Sequence, residues 1–571
     1  MPKDIKLRAA APAGILLAAF LAFGLTLKGG FMWDDHRMIE RNPGITLSAA
    51  NLAKAFSGDP FGQGLNYYRP LQTVSNMADF AVWGYRPFGF HLTNFIFHAA
   101  AAILFFYLAL ALGFGRKGAF WASVLLAAHP AAVEQMLVIA GRAELASGAC
   151  ILASLLLFIK SRTALSFIFF LAAAGFKENG IIMPALAAAA LWYAGRDKKD
   201  YLKLLPFLAF IPVYLLIRHQ ALGMGALSHG WLPVLSGLFF KVPRAIVVYL
   251  KELILPFDMH SHRMQPSSGL LLYISPPALA AAVYFTVKKG SRVFIFCALW
   301  YALNLAPKVP LLAANDLMLD HWAYLANAGF FLWAADYLTG RSKLRLLLPL
   351  AASILIAASA FNIPQRNTDL KIYEHAALRS SSKPMLYNLA REYYLSGRAV
   401  KSRAILERII KDAPGNSLYL NGLALARFKT GDAPGALAAL EEALEAKPGD
   451  AETLFNRYTV LAGAGRKEEA AAAMTGLLKE RPDYAPGLLV LARSAATAGR
   501  MEEAAVMYRK ILKTSPGNTE ALNDYGILLA RRGDYAAAEE LFRSALRLSP
   551  GLAGARQNLD RIQKIKTAKR P

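Results

Sequence analysis

Two patterns of apolar positions divide the chain. Through residue 362 the apolar residues come in long runs broken by short polar stretches, at residues 10–28, 90–113, 118–137, 144–160, 163–176, 179–195, 202–218, 269–287, 293–312, 322–340 and 344–362. A bilayer core of about 30 Å takes roughly 20 helical residues to cross. Lipid offers no partner to a backbone N–H or C=O, so each run predicts a transmembrane helix, eleven in all. Lys3, Lys6 and Arg8 give the first run the look of a signal peptide. Its end, "GLTLKGGFMWDD", has no small-x-small cleavage motif, so the run is expected to stay as an anchor. Residues 219–268 mix apolar residues with Arg244, Lys251, Glu252 and Asp258, which predicts an interfacial helix rather than a span.

Beyond residue 380 the pattern changes to a 34-residue period. Pro414, Pro448, Pro482, Pro516 and Pro550 keep that spacing, and so do Gly397, Gly431, Gly465, Gly499 and Gly533. Small residues recur at Ala436, Ala470, Ala504 and Ala538, each followed four positions later by a larger one: Leu440, Met474, Tyr508 and Phe542. This period resembles the tetratricopeptide repeat (TPR), with helix-turn-helix units expected to start near residues 383, 417, 451, 485 and 519. The predicted fold class is all-α, a multispanning membrane domain followed by an α-solenoid whose concave face holds a partner. The expected layout is a membrane domain at 1–362 with an outer loop at 29–89, a linker at 363–382, five repeats at 383–552 and a basic capping helix or tail at 553–571.

Composition sharpens this picture. The chain is 56% hydrophobic and 18% charged, which excludes a single water-soluble globule. A net charge of +25 suggests nucleic acid only if the basic residues share one face. Instead many form short clusters between apolar runs, where they fix orientation, so no nucleic-acid partner is expected. With the N-terminus inside, the cytoplasmic loops carry Arg116 and Lys117; Lys160 and Arg162; Arg196, Lys198 and Lys199; Lys288, Lys289 and Arg292; and Arg341, Lys343 and Arg345. An odd number of crossings then puts the repeats outside the cytoplasm. Compact Ala- and Gly-rich loops point to a bacterial cytoplasmic membrane rather than the endoplasmic reticulum. Cys150 and Cys297 both lie in apolar runs, which leaves neither a disulfide framework nor a CxxC zinc site.

The densest polar and aromatic sequence in the membrane half is the loop at 29–89. "FMWDDHRMIERNP" places Asp34 and Asp35 just past the first run. Reduced hydration and mutual repulsion there raise proton affinity, as suits a base for a hydroxyl; the alternative is an acidic pair capping a short helix. "YYRPL" supplies Arg69, and "GFHLTNFIFH" puts His91, Asn94 and His98 on one helical face. "HPAAVEQMLVIAGRAE" supplies Glu134 and Arg142, "GFKENG" supplies Lys177 and Glu178, and "LMLDHWAYL" supplies Asp320, His321 and Tyr324. Alternating topology brings all of these near the outer surface. Charges at such positions serve substrate binding or structural pairing. Glu134 with Arg142, or Lys177 with Glu178, would be structural ion pairs, and His91 and His98 would bond neighbouring helices. No metal is expected: the histidines lack a carboxylate at a recognised spacing, and His260 with His262 is only a loop pair.

In this order, WDD, YYRPL, GFHLTNFIFH, HPAAVEQ with GRAE, FKENG, LILPFD and DHWAYL, followed by repeats, the motifs resemble the GT-C membrane glycosyltransferases. Within them the chain looks most like the transmembrane and TPR-containing protein O-mannosyltransferases and their bacterial relatives. The resemblance implies a sugar donor such as mannose on a polyprenyl phosphate, with the acidic pair of the first outer loop, Asp34 and Asp35, at the active centre. It also carries over Arg69 of YRP, His91 of GFH, the helix-end Glu134 and Arg142, and the Lys177–Glu178 pair. The family's late motif has Arg before its aromatic residues; His321 stands there, ahead of Tyr324, and titrates near neutrality. The implied reaction is inverting transfer, with one aspartate taking the acceptor's proton and Arg69, Arg142 or Lys177 stabilising the departing phosphate, without a cofactor. The acceptor is expected to be Ser/Thr hydroxyls of a polypeptide held by the repeats. The alternatives are transfer to a lipid or envelope glycan, and a non-enzymatic TPR membrane scaffold. A lipid-linked sugar flippase would show two-half symmetry, which the sequence lacks.

Overall fold

The computed structural model describes residues 3–42, 44–57, 67–222, 231–261, 263–264, 269–314, 317–549 and 551–568. Pro550 and His262 lie outside them. Two compact units divide the chain, Met1–Ser380 and Ser381–Pro571. Among the described residues both are helical, apart from a two-residue antiparallel ladder that pairs Arg263 with Met318 and Met264 with Leu317.

Among the described residues of the first unit, seven helices are long and apolar enough to cross a membrane: Ala10–Lys28, Pro87–Ala111, Ile139–Ile159, Lys198–Leu222, Leu270–Lys289, Arg292–Ala314 and Leu347–Gln365. Thr163–Phe176 is apolar but shorter. The other predicted runs form the shorter helices Arg116–Ala128, Met183–Ala194 and Asn327–Thr339, because a turn interrupts each run. Pro130 lacks an N–H and disfavours helical geometry at His129. The run at 118–137 therefore divides into Arg116–Ala128, the turn Pro130–Ala132 and the helix Val133–Leu137. The turns Glu178–Ile182 and Asp320–Ala323 interrupt two other runs in the same way. Non-helical backbone at membrane depth persists only where protein buries it or a cavity lies beside it. These turns and their flanks carry most of the polar candidates. Elsewhere Leu205, Leu216, Leu270, Val283, Phe285 and Val287 are exposed, as a lipid-facing surface requires.

The basic residues assigned to the cytoplasmic loops are all exposed. Several of those loops converge. Phe114 stacks on Tyr193 at 5.3 Å, Tyr193 on Phe296 at 4.6 Å, and Arg292 lies 5.5 Å above Trp192. Residues 363–382, expected as a linker, contain the helix Asp369–Ala377. That helix belongs to the first unit and reaches the acidic loop.

In the second unit the helices Lys383–Leu395, Ser417–Lys429, Ala451–Gly463, Ala485–Thr497 and Thr519–Arg531 each pair with the helix that follows. Gly431 at φ 88° and Gly533 at φ 84° lie in the left-handed region, which explains glycine at this point of the period. Asp432, Asp450, Asn518 and Asp534 cap their helices through side-chain oxygens. The recurrent alanines and their larger partners are buried. A last helix, Ala553–Ala568, packs Ala555 and Ile562 against the cluster around Phe542.

Candidate functional site

The two aspartates of the first outer loop have opposite environments. Asp35 is fully buried, and its carboxylate accepts hydrogen bonds from the backbone N–H groups of Met32 (3.0 Å), Ile139 (3.0 Å) and Ala140 (2.8 Å). Burial pushes its pKa up to about 7, against the pull of those three donors. Its role is to fasten the loop to the turn ahead of Arg142. Asp34 is exposed, and among the described residues its side chain makes no hydrogen bond. It follows Trp33, whose φ of 52° is left-handed and whose N–H donates to Asp369 at 2.9 Å. His36 lies between Asp369 and Glu40, whose hydrogen bonds raise its pKa to about 10. Asp34 is thus the free carboxylate on a loop held from both sides.

Arg142 anchors the centre. Its side chain is fully buried, and its nitrogens donate to Asn94 Oδ1 (2.9 Å), Ser75 Oγ (3.0 Å) and the Phe90 carbonyl (3.0 Å), with Asp79 as its ion-pair partner at 2.5 Å. His91 lies 3.2 Å from the carbonyls of Gly30 and Met136. It closes over Gly29 so tightly that a Cβ there would come within 2.8 Å of its Nε2. His98 bonds the Tyr324 hydroxyl (2.9 Å) and the Ala127 carbonyl (3.1 Å). His91, His98, Tyr324 and Arg142 therefore bond neighbouring segments together.

The third group is electrostatic. Arg69 forms a two-pronged hydrogen bond to Glu178 (3.0 and 3.2 Å) and lies 4.3 Å above Tyr67. Burial pushes the Glu178 pKa up, but Arg69 and Lys177 outweigh it and hold the carboxyl well below the usual range. Lys177 pairs with Glu144, which also accepts from Asn179 (3.2 Å) and faces Lys308 at 3.6 Å. Glu134 accepts from Ser261 (2.8 Å) and pairs with His321 (2.9 Å), the residue standing where the family motif has Arg. The candidates thus form ion pairs, but with other partners than sequence proximity suggests. Arg142 pairs with Asp79, Glu134 with His321, Lys177 with Glu144 and Arg69 with Glu178.

Gln72 connects the groups. It donates to the Ala140 carbonyl (2.8 Å), whose own N–H holds Asp35, so Arg69 stands at the start of the same helix that braces the acidic loop. Sequence reasoning missed Asp79, Lys308 and Asp369. A charge inside an otherwise apolar helix or turn was the available signal for Asp79 and Lys308; Asp369 had none. It also missed a second charged network, in which Arg263 pairs with Glu252, Asp258 and Asp320. Burial and the nearby Asp320 raise the Glu252 pKa to about 9. Among the described residues no cluster of three His, Cys, Asp or Glu is placed to hold a metal.

Known proteins add to this geometry. Residues 387–451, 457–519 and 489–553 match the Tetratricopeptide repeat family model. The chain is 36% identical over 146 residues to protein O-mannosyl-transferase Tmtc1 of Drosophila melanogaster, covering 24% of this chain and 17% of that protein. It is 32% identical over 153 residues to human protein O-mannosyl-transferase TMTC1, covering 25% and 17%. The chain thus spans about a sixth of the length of these relatives, over the repeat region. Solved structures that match part of the chain include a thermophilic TPR protein of Thermus thermophilus (20% identity, TM-score 0.27, 32% of this chain and 100% of that one). Another is a tetratricopeptide repeat protein of Parabacteroides merdae (15% identity, TM-score 0.32, 46% and 99%). The family-model match makes the second unit a tetratricopeptide-repeat array, and over it the chain is similar to protein O-mannosyl-transferases.

Proposed function

We propose that this protein is a membrane glycosyltransferase that moves a sugar from a polyprenyl-phosphate carrier to hydroxyl groups of a polypeptide, on the outer side of a bacterial cytoplasmic membrane. The observation that carries this is the buried charge cluster at the interrupted ends of the apolar runs. Among the described residues Arg69, Lys177 and Lys308 pair with the two carboxylates Glu144 and Glu178. Charges in a membrane protein are costly and are retained where an ion or substrate needs them. The repeats and their similarity to protein O-mannosyl-transferases support a polypeptide acceptor.

In this proposal Asp34 is the base. Its carboxylate takes the proton of the acceptor hydroxyl while that oxygen bonds to the anomeric carbon. The bond from that carbon to the phosphate oxygen breaks, and the phosphate leaves with the electron pair, so configuration inverts. Asp35 holds the loop, and Arg142 holds the turn to which the loop is fastened. Arg69 and Lys177 stabilise the phosphate as its charge develops. The test is to incubate the purified chain with polyprenyl-phosphate mannose and a Ser/Thr-rich polypeptide. Mannosylated peptides, seen by mass spectrometry, are expected. Transfer only to lipid or glycan would replace the acceptor, and no transfer from any lipid-phosphate sugar would reject the proposal.

A further inference from the structure

Asp34 lies inside a closed turn. Asp35 donates its backbone N–H to the Met32 carbonyl at 2.9 Å, and its carboxylate accepts the Met32 N–H at 3.0 Å. Only Trp33 and Asp34 stand between these tied ends. The same Asp35 carboxylate is pinned by Ile139 and Ala140, so the turn cannot shift as a whole without leaving buried donors unpaired. With both ends fixed, the backbone angles of Trp33 and Asp34 depend on one another, and a change at Trp33 must be taken up at Asp34. Trp33 has a φ of 52°. A turn with positive φ at its second residue is usually built on Gly, Asn or Asp, and for a bulky side chain that conformation is costly. Among the described residues the other non-glycine residue with positive φ is Ser161, just after the helix Arg142–Ile159, where a left-handed residue commonly ends a helix. Trp33 ends no helix, and strain of this kind persists only where the surroundings enforce it.

The enforcement comes from one helix, Asp369–Ala377. Thr368 caps its first turn, and Lys371 ties it to the Pro364 carbonyl (2.9 Å) at the end of the last apolar helix. Asp369 Oδ1 accepts the Trp33 N–H at 2.9 Å, and Tyr373, one turn further along the same face, places its ring 5.8 Å from the indole. Backbone and side chain of Trp33 are thus gripped together. The second oxygen, Oδ2, bonds His36 Nε2 at 2.8 Å, so a single carboxylate spans the residue before Asp34 and the residue two beyond it. We propose that Asp369 is a positioning residue for the transfer reaction: by holding Trp33 in the left-handed conformation it aims the Asp34 carboxylate at the acceptor hydroxyl. This rests on the glycosyltransferase proposal and names what orients its base, a helix that lies outside the apolar runs.

The test measures kcat, the KM for the polypeptide and the affinity for the lipid-linked donor on the purified full-length chain. Asp369→Ala is expected to lower kcat about 10²-fold, the scale of a misplaced reacting group, while KM and donor affinity stay within about twofold of wild type. Asp369→Asn keeps an oxygen for the Trp33 N–H and is expected to recover most of the wild-type kcat. His36→Gln removes the other contact of Asp369 and is expected to cost less than Asp369→Ala. Hydrogen exchange at the Trp33 amide should quicken in Asp369→Ala and stay slow in Asp369→Asn. A wild-type kcat in Asp369→Ala, or a loss that Asp369→Asn does not recover, overturns the assignment and leaves the proposed function intact. A joint loss of kcat and donor affinity marks a general structural defect and overturns it as well. A wild-type chain that transfers no sugar overturns both. Should Asp369→Ala not fold, Trp33→Asn and Trp33→Val decide, since both remove the indole but asparagine adopts the left-handed conformation far more readily than valine. Trp33→Asn is expected to turn over about tenfold faster than Trp33→Val. Equal rates overturn the assignment.

Discussion

The two units treat polar residues in opposite ways. In the membrane unit several charges of the candidate site are buried and paired across long stretches of chain, as in Arg142 with Asp79 and His321 with Glu134. In the repeat unit they lie on the surface, within one helix in Glu502 with Arg509 and at a helix start in Arg466 with Glu469, and between neighbouring helices in Glu502 with Arg532. The contrast separates two uses of charge. Surface pairs decorate an array held by buried apolar clusters, such as the one that contains Leu522, Ala538, Phe542 and Ala545, whereas in the membrane unit buried polar contacts fix the position of a loop that carries the exposed carboxylate of Asp34.

Mutations can break or sharpen this contrast. The largest effect on stability is expected from Arg142→Gln, which leaves the Asp79 charge buried without its partner; removing one half of a buried pair typically costs about 3 to 5 kcal/mol. Thermal unfolding of the purified chain would measure it, and a loss below about 1 kcal/mol would show that the centre is not held by this pair. Asp35→Asn is next. An amide has one acceptor oxygen for three N–H donors, so the loop should lose about 1.5 to 3 kcal/mol of local stability. Faster proteolysis within residues 29–45 is the readout.

A smaller effect comes from pH. The pKa of His36 is raised to about 10, so its tether to Asp369 and Glu40 is complete below the ordinary histidine value near 6.5 and is lost as pH rises through 10. Between those values wild-type stability should fall more steeply than that of His36→Gln; parallel curves would show that the tether contributes nothing. The smallest effect is expected in the repeat unit. Glu502→Gln removes two exposed pairs and should leave the unfolding midpoint unchanged, and a clear drop there would erase the contrast.

The two units also differ in how much their sequence discloses. The repeat array is legible because one local rule recurs: Gly431 and its counterparts need a left-handed turn, and Ala436 and its counterparts need close packing. The membrane unit discloses its apolar runs and the residue types at their ends, but not who pairs with whom. Glu134 and His321 are far apart in sequence, and only the folding of several interrupted runs brings them to 2.9 Å. The same limit hides the difference between Asp34 and Asp35, since adjacent residues of one type differ only through the backbone donors that the turn at Ile139 and Ala140 presents. Lys308 was obscured because a single lysine between prolines at the end of an apolar run looks like an anchor until its burial is seen.

The most direct measurement compares wild type with Asp34→Asn in single-turnover transfer of radiolabelled mannose from polyprenyl phosphate to a polypeptide, with membrane insertion and donor binding checked in parallel. Loss of a general base should slow transfer by about 10² to 10⁴ while insertion and donor binding stay intact. Transfer by Asp34→Asn at the wild-type rate would contradict the assignment of Asp34 as the base.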